Sequence, residues 1–191
     1  MNLKKVVIIA LLFGIFTLFG FAQNEEESVE SVEEFPPHFM MMFEETLKMA
    51  QEDLERIREE INFPELTEEE KVILDAIAEK SREIIEKAKE GLQLIEEKNI
   101  EKAIETDHAL RLAQMQKEVL FRKRGKLGQL RELRQAAEES GIFDQVEGSI
   151  KELAAIHDQI IQIEEKKIDL EKQTWEKVDE LYKTIESSRH K

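Results

Sequence analysis

Of the four histidines in the chain, two stand where metal chemistry is conceivable. His38 opens the run His38-Phe39-Met40-Met41-Met42, with Met49 further on. Imidazole and thioether together suit a soft ion such as Cu(I), and Met42, four residues after His38, shares its face of a helix. His108 closes Glu105-Thr106-Asp107-His108, the Glu-x-x-His spacing by which carboxylate-bridged two-metal bundles place both ligands on one face. Those bundles use two such motifs, and the other internal histidine, His157, has Ala154 at the matching position. Folded back about the expected turns, His38, Met42, Glu86, Glu90, Glu105 and His108 would gather at one bundle end as a metal or proton-sensing site. The competing reading is plainer and is preferred. Methionine at helical spacing fills irregular gaps or offers an adaptable apolar surface, and a histidine between Leu153 and Ile160 sets helix register. No cofactor is expected, and no nucleophile, base and orienting group stand together as an enzyme would need.

A second constellation is a basic run in an acidic protein: Lys117, Arg122, Lys123, Arg124, Lys126, Arg131 and Arg134. It could grip an anionic polymer. The fold-back instead sets it beside Glu65, Glu68, Glu69 and Glu70 and beside Glu55, Glu59 and Glu60, so charge pairing that fixes helix order is the better account.

The elements that must position these residues are helices. Apolar residues recur at Phe39, Phe43, Ala50, Leu54, Ile57 and Ile61, a three-to-four spacing that lines one helical face. The spacing predicts helices over about 37–62, 67–98, 100–139 and 144–188. Pro37 suits a helix start, where its missing amide has no partner to lose. Phe63-Pro64 breaks the first helix, and Thr67 with Glu70 makes a capping box for the second. Asn99 is the residue expected to take a left-handed turn. Gly125 and Gly128 weaken the middle of the third helix and are places where it would bend. Ser140-Gly141 stops it, and Asp144 with Glu147 forms a second expected capping box. No proline follows Pro64 and no strand-like alternation occurs. The fold class is therefore all-α: an elongated antiparallel four-helix bundle or coiled-coil hairpins, with the last two helices projecting beyond the first two.

Ahead of the helices, Lys4-Lys5, an apolar run from Val6 to Phe21 and the small residues Gly20 and Ala22 make a signal peptide over residues 1–22. The run is at the short limit for spanning a bilayer, so membrane attachment is expected only if the segment stays uncleaved. Residues 23–36 read as a disordered acidic linker, and the helical domain occupies 37–191. Both fates of the leader place that domain in the periplasm or another extracytoplasmic space. The chain of 191 residues carries 28 Lys plus Arg against 43 Asp plus Glu. Losing residues 1–22 removes two lysines and no acid, which takes the net charge from -15 to -17. Such a charge argues against nucleic acid as a partner. The absence of cysteine rules out disulfides and thiolate sites.

Leu66-Thr67-Glu68-Glu69-Glu70, following a leader and a Met-rich start, resembles the Leu-Thr-x-x-Gln signature of the Spy/CpxP family of periplasmic helical proteins, with Glu70 in place of the glutamine and no second copy. The resemblance implies a stress-linked chaperone or metal-linked regulator, commonly a homodimer with a concave client-binding face. The expected function is thus a non-enzymatic, exported, chaperone-like protein or envelope adaptor that binds a protein partner or unfolded client. Its expected surfaces are Phe39, Met40, Met42 and Phe43 and a hairpin tip of Ile142, Phe143 and Val146. The alternative is a metal-responsive sensor using His38, Met42, Glu90, Glu105 and His108.

Overall fold

A computed structural model describes residues 37–189, and the expected leader and acidic linker fall outside the described residues. Four helices account for the described chain: α1 (Pro37–Glu60), α2 (Glu68–Glu96), α3 (Ile100–Glu139) and α4 (Phe143–Arg189). Their ends lie within two residues of the expected ones. The chain divides into two compact units, one holding Glu34–Trp175, while the described part of the other is Glu176–Arg189. In that C-terminal stretch Lys177 and Glu180 form an exposed ion pair one turn apart.

Within residues 34–175, α1, α2 and α3 pack on one another. The stripe Phe39, Phe43, Ala50, Leu54 and Ile57 on α1 is buried, as are Leu74, Ile77, Ala78, Ile84 and Ala88 on α2 and Ala103, Leu110 and Ala113 on α3. Alanines at these places let the backbones approach closely, and Gly91 carries this furthest. A Cβ there would fall far inside contact distance of the Phe43 ring, so the ring seats directly on the α2 backbone. Phe39 meets Phe43 edge to face at 5.5 Å between centroids, an arrangement that suits the ring quadrupoles. Nearer the other end, Leu54, Ile57, Leu74, Ile77 and Ala78 form one cluster, with Leu120 and Phe121 of α3 packed against it.

The connections follow from local chemistry. Thr67 accepts from the Glu70 amide at 3.2 Å and the Glu70 carboxylate accepts from the Thr67 amide at 2.9 Å, a complete capping box. The α2–α3 and α3–α4 turns are Schellman turns. In the first, Lys98 donates to the Ile95 carbonyl and Asn99 to that of Leu94; in the second, Gly141 donates to Glu138 and Ile142 to Ala137. The left-handed residue of the second turn is Gly141, at φ +68°, which costs a glycine nothing. In the first turn that residue is Lys98, at φ 56°. The expected left-handed Asn99 is instead the N-cap of α3, its side chain accepting from the Lys102 amide at 3.4 Å. The Asp144/Glu147 capping box is corrected too: α4 starts at Phe143, so Asp144 lies inside its first turn, where it still favours the helix dipole. Helix α3 runs unbroken through Gly125 and Gly128.

Helix α4 lies antiparallel along α3. Arg122 pairs with Glu164, Lys123 with Glu165 and Lys126 with Asp158. His157 meets Gln129 at 2.9 Å, and the His108 and Trp175 rings stack at 3.6 Å. These contacts hold one register over most of the hairpin. Arg131 reaches back to the start of α2, so α3 continues two turns past that point, and Ala137 of α3 and Ile150 of α4 are both buried near the tip of the hairpin.

Candidate protein-binding surface

The basic run on α3 answers acids on two sides. Toward α1 and α2, Lys117 holds Asp53 at 2.6 Å, Arg124 pairs with Glu60, and Arg131 holds Glu70 at 2.6 Å and the Glu65 carbonyl at 2.9 Å. Burial, and then the like charges of Arg56 and Arg131, lower the pKa of Arg124. Arg124 and Arg131 thus meet acids of the two groups beside which the fold-back sets the run. Arg122, Lys123 and Lys126 differ: they point to α4 because an α3 helix with neighbours on two sides spreads a seven-residue basic run over both.

Glu70, the last residue of the Leu-Thr-Glu-Glu-Glu motif, is only 2% exposed. One of its oxygens, Oε2, accepts from the Thr67 amide, the Thr67 hydroxyl and Arg131. Its carboxylate thus ties the α1–α2 loop, the first turn of α2 and α3 into one knot, well beyond the local cap that the sequence shows. A second buried acid, Asp107, is held at 2.8 Å by Arg111 Nε through Oδ2, while its Oδ1 is buried with no hydrogen-bond partner. Burial pushes the Asp107 carboxyl above the ordinary carboxylate range against the opposing pull of Arg111. Sequence reading passed over Asp107 as the interior of a His motif, although an aspartate three residues before Leu110 on the α3 seam was a visible signal.

The six residues expected to gather as a metal site are not brought together as ligands. His38, Glu86, Glu90 and Glu105 are exposed, Met42 is half-buried with its sulfur 4.0 Å from Arg111 Nη2, and His108 turns its ring onto Trp175. Among the described residues no three histidine, aspartate or glutamate side chains are placed to hold a metal ion. The reason is helical phase. His108 faces α4, so the α2 residue level with it on paper meets a different face.

The expected binding residues divide. Phe39 and Phe43 are core, Phe43 with no exposed surface at all. They lie on the α1 stripe that α2 and α3 cover, so their aromatic character serves packing. Met40, Met41 and Met49 sit off that stripe and are exposed. At the tip Ile142 is exposed, and Phe143 and Val146 are half-buried.

The largest apolar display in this unit lies elsewhere. Ile156, Ile160, Ile163 and Leu170 on α4 are all exposed, Ile163 at 68%. Together with Leu153 and Lys167 they recur every three and four residues, which is the spacing of a coiled-coil seam. Helix α4 therefore carries two adjacent seams. Ile150, Ala154, His157, Ile161, Glu164, Ile168, Glu171 and Trp175 are the buried or half-buried one, and the strip beside it is open from Ile156 to Leu170, with Leu153 half-buried. Both are legible as apolar periodicity along one helix. No helix among the described residues is long and apolar enough to cross a membrane. Comparison with protein-family models, with curated proteins and with solved structures gave no match.

Proposed function

We propose that this chain is an exported, non-enzymatic helical protein whose task is to bind other proteins through the open strip of α4, in the manner of a chaperone or envelope adaptor. The observation that carries the reading is the strip Ile156, Ile160, Ile163 and Leu170, aliphatic, exposed and at seam spacing on a helix whose other seam is already used. Isolated exposed aliphatic residues are ordinary, whereas a continuous row of them marks a contact surface. Large β-branched side chains on a helix offer a rigid ridge that another helix or an apolar peptide can clasp. The exposed Met40, Met41 and Met49 on α1 add a softer, adaptable patch. Export rests on the leader pattern of Lys4-Lys5, the Val6–Phe21 run and Ala22. Without the leader, the net charge of -17 keeps such a surface soluble while it waits for a partner.

The test is a client assay. Purified protein should delay aggregation of a chemically unfolded client at stoichiometric ratios, and the double variant Ile160→Glu/Ile163→Glu should lose that protection while keeping its helicity. If the wild-type protein protects nothing, or the double variant protects as well, the α4 strip is not the binding surface.

A further inference from the structure

We propose that Met42 is a site of oxidative modification: hydrogen peroxide or another small peroxide converts its thioether to the sulfoxide, and Arg111 receives the new oxygen. The inference goes beyond the reading of the α4 strip and does not rest on it.

The contacts between α1 and α3 lead there. The two helices run parallel, each being antiparallel to α2 across a short connection, and donors of α3 meet acceptors of α1 level by level. Gln114 donates to the Thr46 hydroxyl at 3.3 Å, Lys117 to the Asp53 carboxylate at 2.6 Å and Arg124 to that of Glu60. These three α1 partners offer oxygen. At the remaining level α1 offers sulfur: Arg111 Nη2 stands 4.0 Å from Met42 Sδ. A thioether is a weak acceptor and a guanidinium a strong donor, so this rung is the unfinished one. An oxygen added to the sulfur falls between the two atoms, where it accepts a charge-assisted hydrogen bond of about 2.8 Å.

Arg111 is held in place for that role. Its Nε donates at 2.8 Å to Asp107 Oδ2, one turn back on α3, and the Asp107 side chain is buried. Asp107 is therefore a positioning residue, which turns the outer edge of the guanidinium toward α1.

The chain has no cysteine, so thioethers carry its peroxide chemistry. Met40, Met41 and Met49 are exposed, Met42 and Met115 half-buried. Among the described residues Met42 is the one methionine whose sulfur faces a hydrogen-bond donor. In the reaction a sulfur lone pair attacks the outer peroxide oxygen, the O–O bond breaks and a proton passes to the departing oxygen. Hydrogen peroxide thus leaves as water, having taken two electrons from the sulfur. A sulfoxide is polar and ordinarily disrupts packing where it is half-buried. At Met42 it meets a donor already aimed at it and completes the rung.

The test uses the full-length protein with Met40, Met41, Met49 and Met115 changed to leucine, which leaves Met42 as the one thioether in residues 37–189. Under hydrogen peroxide, peptide mass spectrometry should find one added oxygen on Met42 while circular dichroism shows the protein folded. The oxidised form should melt at or above the temperature of the untreated one. With Arg111→Ala added, oxidation should instead lower the melting temperature by several degrees. Asp107→Asn/Arg111→Ala, which leaves no orphaned charge, should show the same loss. Met42→Gln, whose amide oxygen stands in for that of the sulfoxide, should repeat the pattern without oxidant: tolerated beside Arg111, damaging without it. Oxygen uptake by Met42 only as the protein unfolds would overturn the site. An equal loss of melting temperature with and without Arg111 would overturn its role as the receiving group.

Discussion

In the three-helix part of the molecule Phe43 lies on Gly91 with no exposed surface, whereas on α4 Ile163 keeps 68% of its surface in water. Both side chains are large, apolar and set at three-to-four spacing on a helix. What separates them is the number of neighbours. Helices α1, α2 and α3 each face two others, so their stripes close on themselves, helped by Gly91 and the buried alanines. Helix α4 packs along α3 with one seam and carries a second that nothing in residues 37–175 covers. Apolar periodicity alone reports that a helix has something to bury. Only the count of partners tells whether folding or binding buries it.

The sharpest way to break this contrast is to attack the covered side. Phe43→Ala should cost about 3–5 kcal/mol in urea unfolding, the usual range for a fully buried aromatic. Gly91→Val should be comparably damaging, because the new side chain must occupy the place of the ring. If Gly91→Val is tolerated with an unchanged midpoint, the close approach of α1 and α2 is wrong.

Next in size is the knot at Glu70. Arg131→Ala leaves a carboxylate that is 2% exposed without its cationic partner. Breaking such a pair costs up to about 3–5 kcal/mol, reduced here to about 2–3 kcal/mol because water can reach the half-exposed Arg131 side. Glu70→Gln in the Arg131→Ala background should recover part of the loss by removing the orphaned charge. A neutral Arg131→Ala would show that the capping box alone holds the loop.

Asp107 sharpens the picture through pH. Its folded pKa is raised by burial, so the stability it contributes is fully present below the unfolded value of about 3.9 and is lost as pH rises through the folded value. Wild-type stability relative to Asp107→Asn should accordingly grow as pH falls, by about 1.4 kcal/mol for each unit that separates the folded and unfolded pKa. Chemical denaturation of both proteins at stepped pH reads this directly. A difference that is flat with pH would mean the carboxylate is solvated.

The helices, their turns and the all-α class were legible because each rests on local chemistry: Pro37 at a start, Thr67 and Glu70 as a box, Gly141 as a stop. The left-handed residue was misplaced at the α2–α3 turn because Asn99 can serve either as that residue or as an N-cap, and only the chain path chooses between them. The binding surface was harder to read for a physical reason. Phe39 and Phe43 look sticky in sequence and are core, while Ile156, Ile160 and Ile163 of α4 share the spacing of a core seam and are open, because burial depends on contacts between helices far apart in the chain. Of the seven-residue basic run, Lys117, Arg124 and Arg131 face acids of α1 and α2 as the fold-back expects. Arg122, Lys123 and Lys126 turn to α4, a helix the fold-back had left unconsidered as a charge partner.

The smallest stability effect is the most telling. Measured by urea unfolding, Ile160→Glu/Ile163→Glu should match wild type to within about 0.5 kcal/mol, as expected for changes outside the core. A loss of about 2 kcal/mol or more would place the α4 strip inside the fold and contradict the account of it as a surface kept open for a partner.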